Sequence, residues 1–197
     1  MLLKYKKAEV ISLKKTDPFY LYAVKIKTPF QNFNRMLGSI FPNIFDKYTF
    51  HPYIDILNKL LNNGVSKNDI VELFNDLYTI SNYVAKSFEQ IKFDDQKQFN
   101  FKSKILKNYF SKSAMIGETV YRGINLNTDD IRGDVNRDIF KNVSFSKHLY
   151  IAKEFSKGRH IISAIVTKSN LLADLTEFYE EGEVLLRLKK DEFNIIK

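Results

Sequence analysis

Cysteine and tryptophan are both missing from this 197-residue chain, and histidine occurs only three times. Without cysteine there is no disulfide and no thiolate metal site. His51, His148 and His160 stand apart in sequence and lack ligand spacing, so structural or surface roles are expected and no metal. Glycine and proline are sparse, at seven and four, and neither a low-complexity linker nor an internal repeat interrupts the chain. The opening MLLKYKKAEVISLKK has no apolar run of signal-peptide length, and no window approaches a membrane span. A protein working in the cytoplasm, away from membranes, is expected. The chain also lacks a phosphate loop, a Rossmann fingerprint, a nucleophile elbow and a zinc pattern.

What is present is positive charge and apolar bulk. The formal charge is +8 and the sequence pI is about 9.4, a balance that favours acidic partners such as nucleic acid or a polyanionic ligand. The basic residues are scattered as KYKK, SLKK, KSKILK and RLKK, and none of these blocks reaches the length of a basic tail. Hydrophobic residues make up 44% of the chain, enough for a real core, and the length suits one domain or one domain with a helical extension.

The periodicity changes along the chain. AEVISL and YLYAVKIK alternate apolar and polar residues and read as paired strands. From Phe30 to about Phe110 the pattern is helical. SKNDIVELFNDLYTISNYVAKSFEQI opens on a capping box, Ser66 with Asp69, and lines up Ile70, Leu73, Phe74, Leu77, Val84 and Phe88 on one face. YIDILNKLLNNG ends on a glycine stop, and FKSKILKNYF gives a shorter helix. The second half turns to strands: ETVYRGINL, NVSFS, HIISAIVTK, GEVLLRL and EFNII, with one helix, KHLYIAKEFSKG, stopped by Gly158. Short strands around one helix suggest an α+β sandwich. The division expected is residues 1–115, mainly helical and integral to the domain, and residues 116–197, a β-rich core.

Three features of the second half carry chemistry. Arg122 in VYRG sits inside or at the end of a strand, where a guanidinium needs an anionic partner because unpaired burial is costly. Gly123 beside it lets another backbone or a ligand come close. Ser144 and Ser146 flank Phe145, so strand alternation sends both hydroxyls to one face. Glu181 and Glu183 stand two apart in YEEGEVLL and share a face if the strand begins that early.

An arginine, a serine pair and a glutamate pair, each on its own strand and in that order, resemble the Arg-Ser-Glu class of mono-ADP-ribosyltransferases. Ala152 and Phe155, after the serine strand, fit the alanine and phenylalanine that the family commonly shows there. The likeness is strongest to the small transferases of T-even-like bacteriophages and spans about Val120 to Ile196. Phe145 stands where the family has a threonine, a position expected to face away from the cleft. The resemblance implies a helical N-terminal part followed by a compact β-sandwich transferase core with an NAD cleft. It implies NAD as a consumed substrate, with no metal.

Roles follow from the same resemblance. Glu183 would hold a ribose hydroxyl and stabilise the oxocarbenium-like sugar. Ser144 would orient Glu183, Ser146 would support the cleft, and Arg122 with Gly123 would bind NAD. Glu181 at the first position implies arginine as acceptor. Tyr179 and Phe178 would either stack on that guanidinium or anchor the loop, and Phe155 is expected to pack the helix under the cleft. Partners would be proteins with an accessible arginine, RNA-associated or ribosomal among them, such as host transcription or translation proteins in the cytoplasm of an infected cell. Two other readings stand beside this one. One is a basic nucleic-acid-binding module without catalysis, though no stacking platform accompanies the charge. The other is a secreted or injected bacterial effector using the same chemistry.

Overall fold

Helix α1 (Phe30–Ile40), α2 (Tyr53–Asn62) and α3 (Lys67–Lys86) each form where apolar residues recur at helical spacing. The computed structural model describes residues 30–45, 53–86, 100–124, 143–189 and 192–196. The paired strands expected in AEVISL and YLYAVKIK lie outside these, as does Phe88. By contact density the chain divides into two units, Met1–Ile91 with Phe101–Leu106, and Lys92–Asn100 with Lys107–Lys197.

In the first unit, Ser66 begins α3 as its spacing to Asp69 predicts. Its hydroxyl accepts from the Asp69 amide at 3.1 Å and donates to the Asp69 carboxylate at 2.6 Å. Ile70, Leu73, Phe74, Leu77 and Ile80 of α3 are all buried, each contributing roughly 1.5–3 kcal/mol of burial. Phe33 of α1 meets Phe74 edge-to-face at 5.2 Å. A polar link completes the unit. Asp76 Oδ2 accepts from the Ser103 amide at 2.6 Å, and Ser103 Oγ accepts from the Leu106 amide at 3.1 Å, starting α4 (Lys104–Phe110). Asp76 and Ser103 are both buried. Asp76→Ala would leave a buried N–H without its acceptor, so urea unfolding should show a loss of about 1–3 kcal/mol. An unchanged midpoint would remove the link from the account.

Among its described residues the second unit carries six strands and, beyond the end of α4, the helix α5 (Leu149–Ser156). The strands are β1 (Thr119–Ile124), β2 (Val143–Ser146), β3 (His160–Ile165), β4 (Leu171–Asp174), β5 (Glu183–Leu186) and β6 (Phe193–Ile195). The fold is α+β, and the strands are antiparallel in the order β4-β5-β2-β1-β3-β6. The sequence suggests an α+β sandwich, and the described strands form one hydrogen-bonded sheet. The rung of Tyr121 opposite Ser146 joins the β4-β5-β2 half to the β1-β3-β6 half. Strand β4 has no counterpart among the strands read from the sequence. It is held by Asp174, whose Oδ2 accepts from Ser113 Oγ and whose Oδ1 accepts from both the amide and hydroxyl of Thr176.

One face of the sheet is apolar: Val120, Ile124, Val143, Phe145, Ile162, Ala164, Val184 and Leu186 form its core. The other face holds a polar row. Asn194, Ser163, Tyr121, Ser146 and Glu183 are opposite one another across five consecutive strands. Helix α5 packs over this second face at Gly123. There a β-carbon would strike Ala152 O and the Ser156 amide, both main-chain atoms.

Candidate active site

The site grows from the middle of the sheet, where β1, β2 and β5 lie side by side although they are distant in sequence. Ser144 and Ser146 alternate with Phe145, which is buried in the core on the opposite face. The register sets Ser144 opposite Leu185 and Ser146 opposite Glu183. Ser144 Oγ donates to Glu183 Oε1 at 2.6 Å, a short bond of the kind an ionised acceptor makes. Glu183 is 9% exposed at the first position of β5. A carboxylate buried that far needs hydrogen-bond donors, and Ser144 is one.

Arg122 joins the same group through the main chain. Its Nη1 donates to Ser144 O at 2.7 Å. Lys147 bonds Gly182 O on β2's other side, so alternation points the Ser144 carbonyl at β1. The next rung after Tyr121–Ser146 would offer that carbonyl the Gly123 amide. The guanidinium takes it where the paired register stops. The side chain of Arg122 leaves β1 on the apolar face, opposite Ile162, and reaches the gap between the two strands. Sequence reasoning placed Arg122, Ser144 and Glu183 along one cleft. Ser144 ties the other two together, one by its carbonyl and one by its hydroxyl.

Glu181 and Glu183 do not share a strand face. Strand β5 begins at Glu183, and Gly182 before it takes φ +60° in a turn. Glu181 is therefore on an exposed turn while Glu183 enters the sheet. Ser146 fixes that turn. Its Oγ donates to Glu181 O at 2.6 Å and accepts from the His148 amide at 2.9 Å, linking the turn to the start of α5. The Lys147 amide donates to Gly182 O at 2.9 Å, and the Gly182 amide to Tyr179 O at 3.0 Å.

The neighbouring aromatics divide. Phe178 is 6% exposed, and its amide bonds Leu175 O at 2.9 Å. Of its two expected roles, the burial is that of a loop anchor. Tyr179 is half-buried, with its amide on the same carbonyl. Phe155, expected to pack beneath the helix, is instead 57% exposed. The helix turns Ala152 and Ser156 to the sheet, and Phe155 falls at the side of that contact. Gly123, expected to admit a backbone or a ligand, admits the backbone of α5.

Lys147 and Gly182 escaped the sequence reading, although the glycine between two glutamates was a signal that a strand could not yet have begun there. Among the described residues no cluster of histidines and carboxylates suited to a metal occurs, and no helix is long and apolar enough to cross a membrane. A scan against protein-family models and searches of curated proteins and of solved structures return no match.

Proposed function

We propose that this chain is a mono-ADP-ribosyltransferase of the Arg-Ser-Glu class, cleaving NAD between nicotinamide and ribose and transferring ADP-ribose to arginine side chains of proteins. The observation that carries the reading is the Ser144 hydroxyl on the Glu183 carboxylate at 2.6 Å, with the Arg122 guanidinium on the same serine's carbonyl. A carboxylate that is mostly buried, oriented by a hydroxyl and standing at a strand start is suited to oppose positive charge growing on a sugar.

The bond from ribose C1′ to the nicotinamide nitrogen breaks with its electron pair going to nicotinamide, which leaves neutral. Charge develops on the sugar, and Glu183 stabilises it. A guanidine nitrogen of the acceptor then bonds to C1′, and the proton it sheds goes to Glu181. That carboxylate is needed because a guanidinium stays protonated near neutral pH and is then a poor nucleophile. The exposure of Glu181 on its turn suits a group that meets another protein. The burial of Glu183 suits one that meets the small substrate.

The test supplies NAD labelled in its adenylate half to the purified protein with a cell lysate. Wild type should release nicotinamide and label protein. Glu181→Gln should still release nicotinamide while labelling falls by at least about tenfold, since a positioned proton acceptor contributes on the order of a hundredfold or more. If wild type neither releases nicotinamide nor labels protein, the catalytic reading fails and a basic nucleic-acid-binding module becomes the better account.

A further inference from the structure

Between the two glutamates runs a side chain the scheme above does not use. A methyl group built on Gly182 would stand 2.6 Å from Lys147 Cγ and 2.9 Å from Lys147 Cε. The aliphatic stem of Lys147 therefore lies across Gly182, where a side chain would have to displace it. Lys147 is anchored there, since its amide donates to Gly182 O at 2.9 Å and Ser146 before it bonds Glu181 O. Lys147 is exposed, and among the described residues no ion pair engages its ammonium, although Glu181 and Glu183 flank the glycine it crosses.

The register gives this cation a partner in position. Tyr121, Ser146 and Glu183 form one row. Strands β1 and β2 run antiparallel, so Arg122 stands one residue to one side of that row and Lys147 one residue to the other. Two cations thus stand on either side of the Tyr121–Ser146–Glu183 row along the strand direction. Arg122 already gives one N–H to Ser144 O, whereas Lys147 is exposed, with its stem against Gly182.

We infer that Lys147 is a second anion-binding residue of this site, contacting a phosphate of the dinucleotide as it enters over Gly182. The inference rests on the NAD reading above. A flexible ammonium acts as a point charge on phosphate. Its stem, packed on the glycine, restricts the rotamers that would otherwise have to be ordered on binding.

The experiment measures equilibrium binding of NAD and of nicotinamide riboside, which has the same base and sugar without phosphates, to wild type, Lys147→Ala and Lys147→Arg. Loss of one charge-assisted contact should weaken NAD binding about tenfold in Lys147→Ala, and the deficit should shrink as salt is raised. Nicotinamide riboside should bind the two proteins alike, and Lys147→Arg should retain NAD affinity. Equal NAD affinity in wild type and Lys147→Ala overturns the inference, as does an equal loss for both ligands, which would mark a structural role. Wild type that cleaves NAD while Lys147→Ala binds it normally sinks only this inference. Wild type that binds no NAD sinks the function as well.

Discussion

Glu183→Gln should abolish nicotinamide release, by at least about a hundredfold in kcat, while leaving the protein folded. Glutamine has the same shape and can still accept from Ser144 Oγ, so the 2.6 Å contact survives as a neutral hydrogen bond. What disappears is the negative charge that the proposed function sets against the sugar. Removing one preorganised electrostatic stabiliser from a water-poor site costs on the order of 10²–10³ in rate. Because Glu183 is mostly buried, neutralising it should leave thermal stability unchanged or slightly raised, as a buried charge is expensive to keep. Ser144→Ala offers the graded comparison. The charge stays but loses a donor, so the rate should fall less. A Glu183→Gln protein that releases nicotinamide at the wild-type rate would place the chemistry elsewhere.

The second large effect is on stability. Gly123→Ala should cost about 3 kcal/mol, the upper part of the range for overpacking a filled interior. For a chain of this size that corresponds to a fall in Tm of about 6–12 °C. The added methyl meets Ala152 O and the Ser156 amide, and it stands 2.9 Å from the Phe155 carbonyl carbon. All three are backbone atoms of α5, so no rotamer change relieves the clash and the helix must lift. That displacement reaches the site, because Ser146 Oγ holds both the His148 amide at the start of α5 and Glu181 O. Differential scanning calorimetry with nicotinamide release on the same samples tests both halves of the expectation. A variant with unchanged Tm would mean that α5 does not sit on β1.

Local signals in the sequence were sufficient where one residue's chemistry decides the outcome. Ser66 and Asp69 announce the start of α3, and alternation through Ser144, Phe145 and Ser146 separates the hydroxyls from the core. Glu183 was legible because it leads an apolar run. Strand β4 was not, since Leu171, Leu172 and Ala173 are apolar without alternation and Asp174 owes its place to a hydroxyl at Ser113, far off in sequence. The separation of Glu181 and Glu183 onto a turn and a strand was also hidden. Counting by twos put them on one face, and the left-handed backbone at Gly182 undoes that count. Lys147 looked like any surface lysine until the turn it crosses was known. These are tertiary facts, and no window of sequence holds them.

The sheet order has a consequence in time. Ser144 and Glu183 are 39 residues apart, and Arg122 and Ser144 are 22 apart. Neither pairing can be made by a tight hairpin, and each has to wait for a long stretch of chain to close. A chain that has formed its helices but not docked β5 against β2 holds every residue of the proposed site and none of its geometry. During refolding, competence to consume NAD should therefore appear with the last phase of β-sheet formation and never before it. The half-made protein is chemically silent.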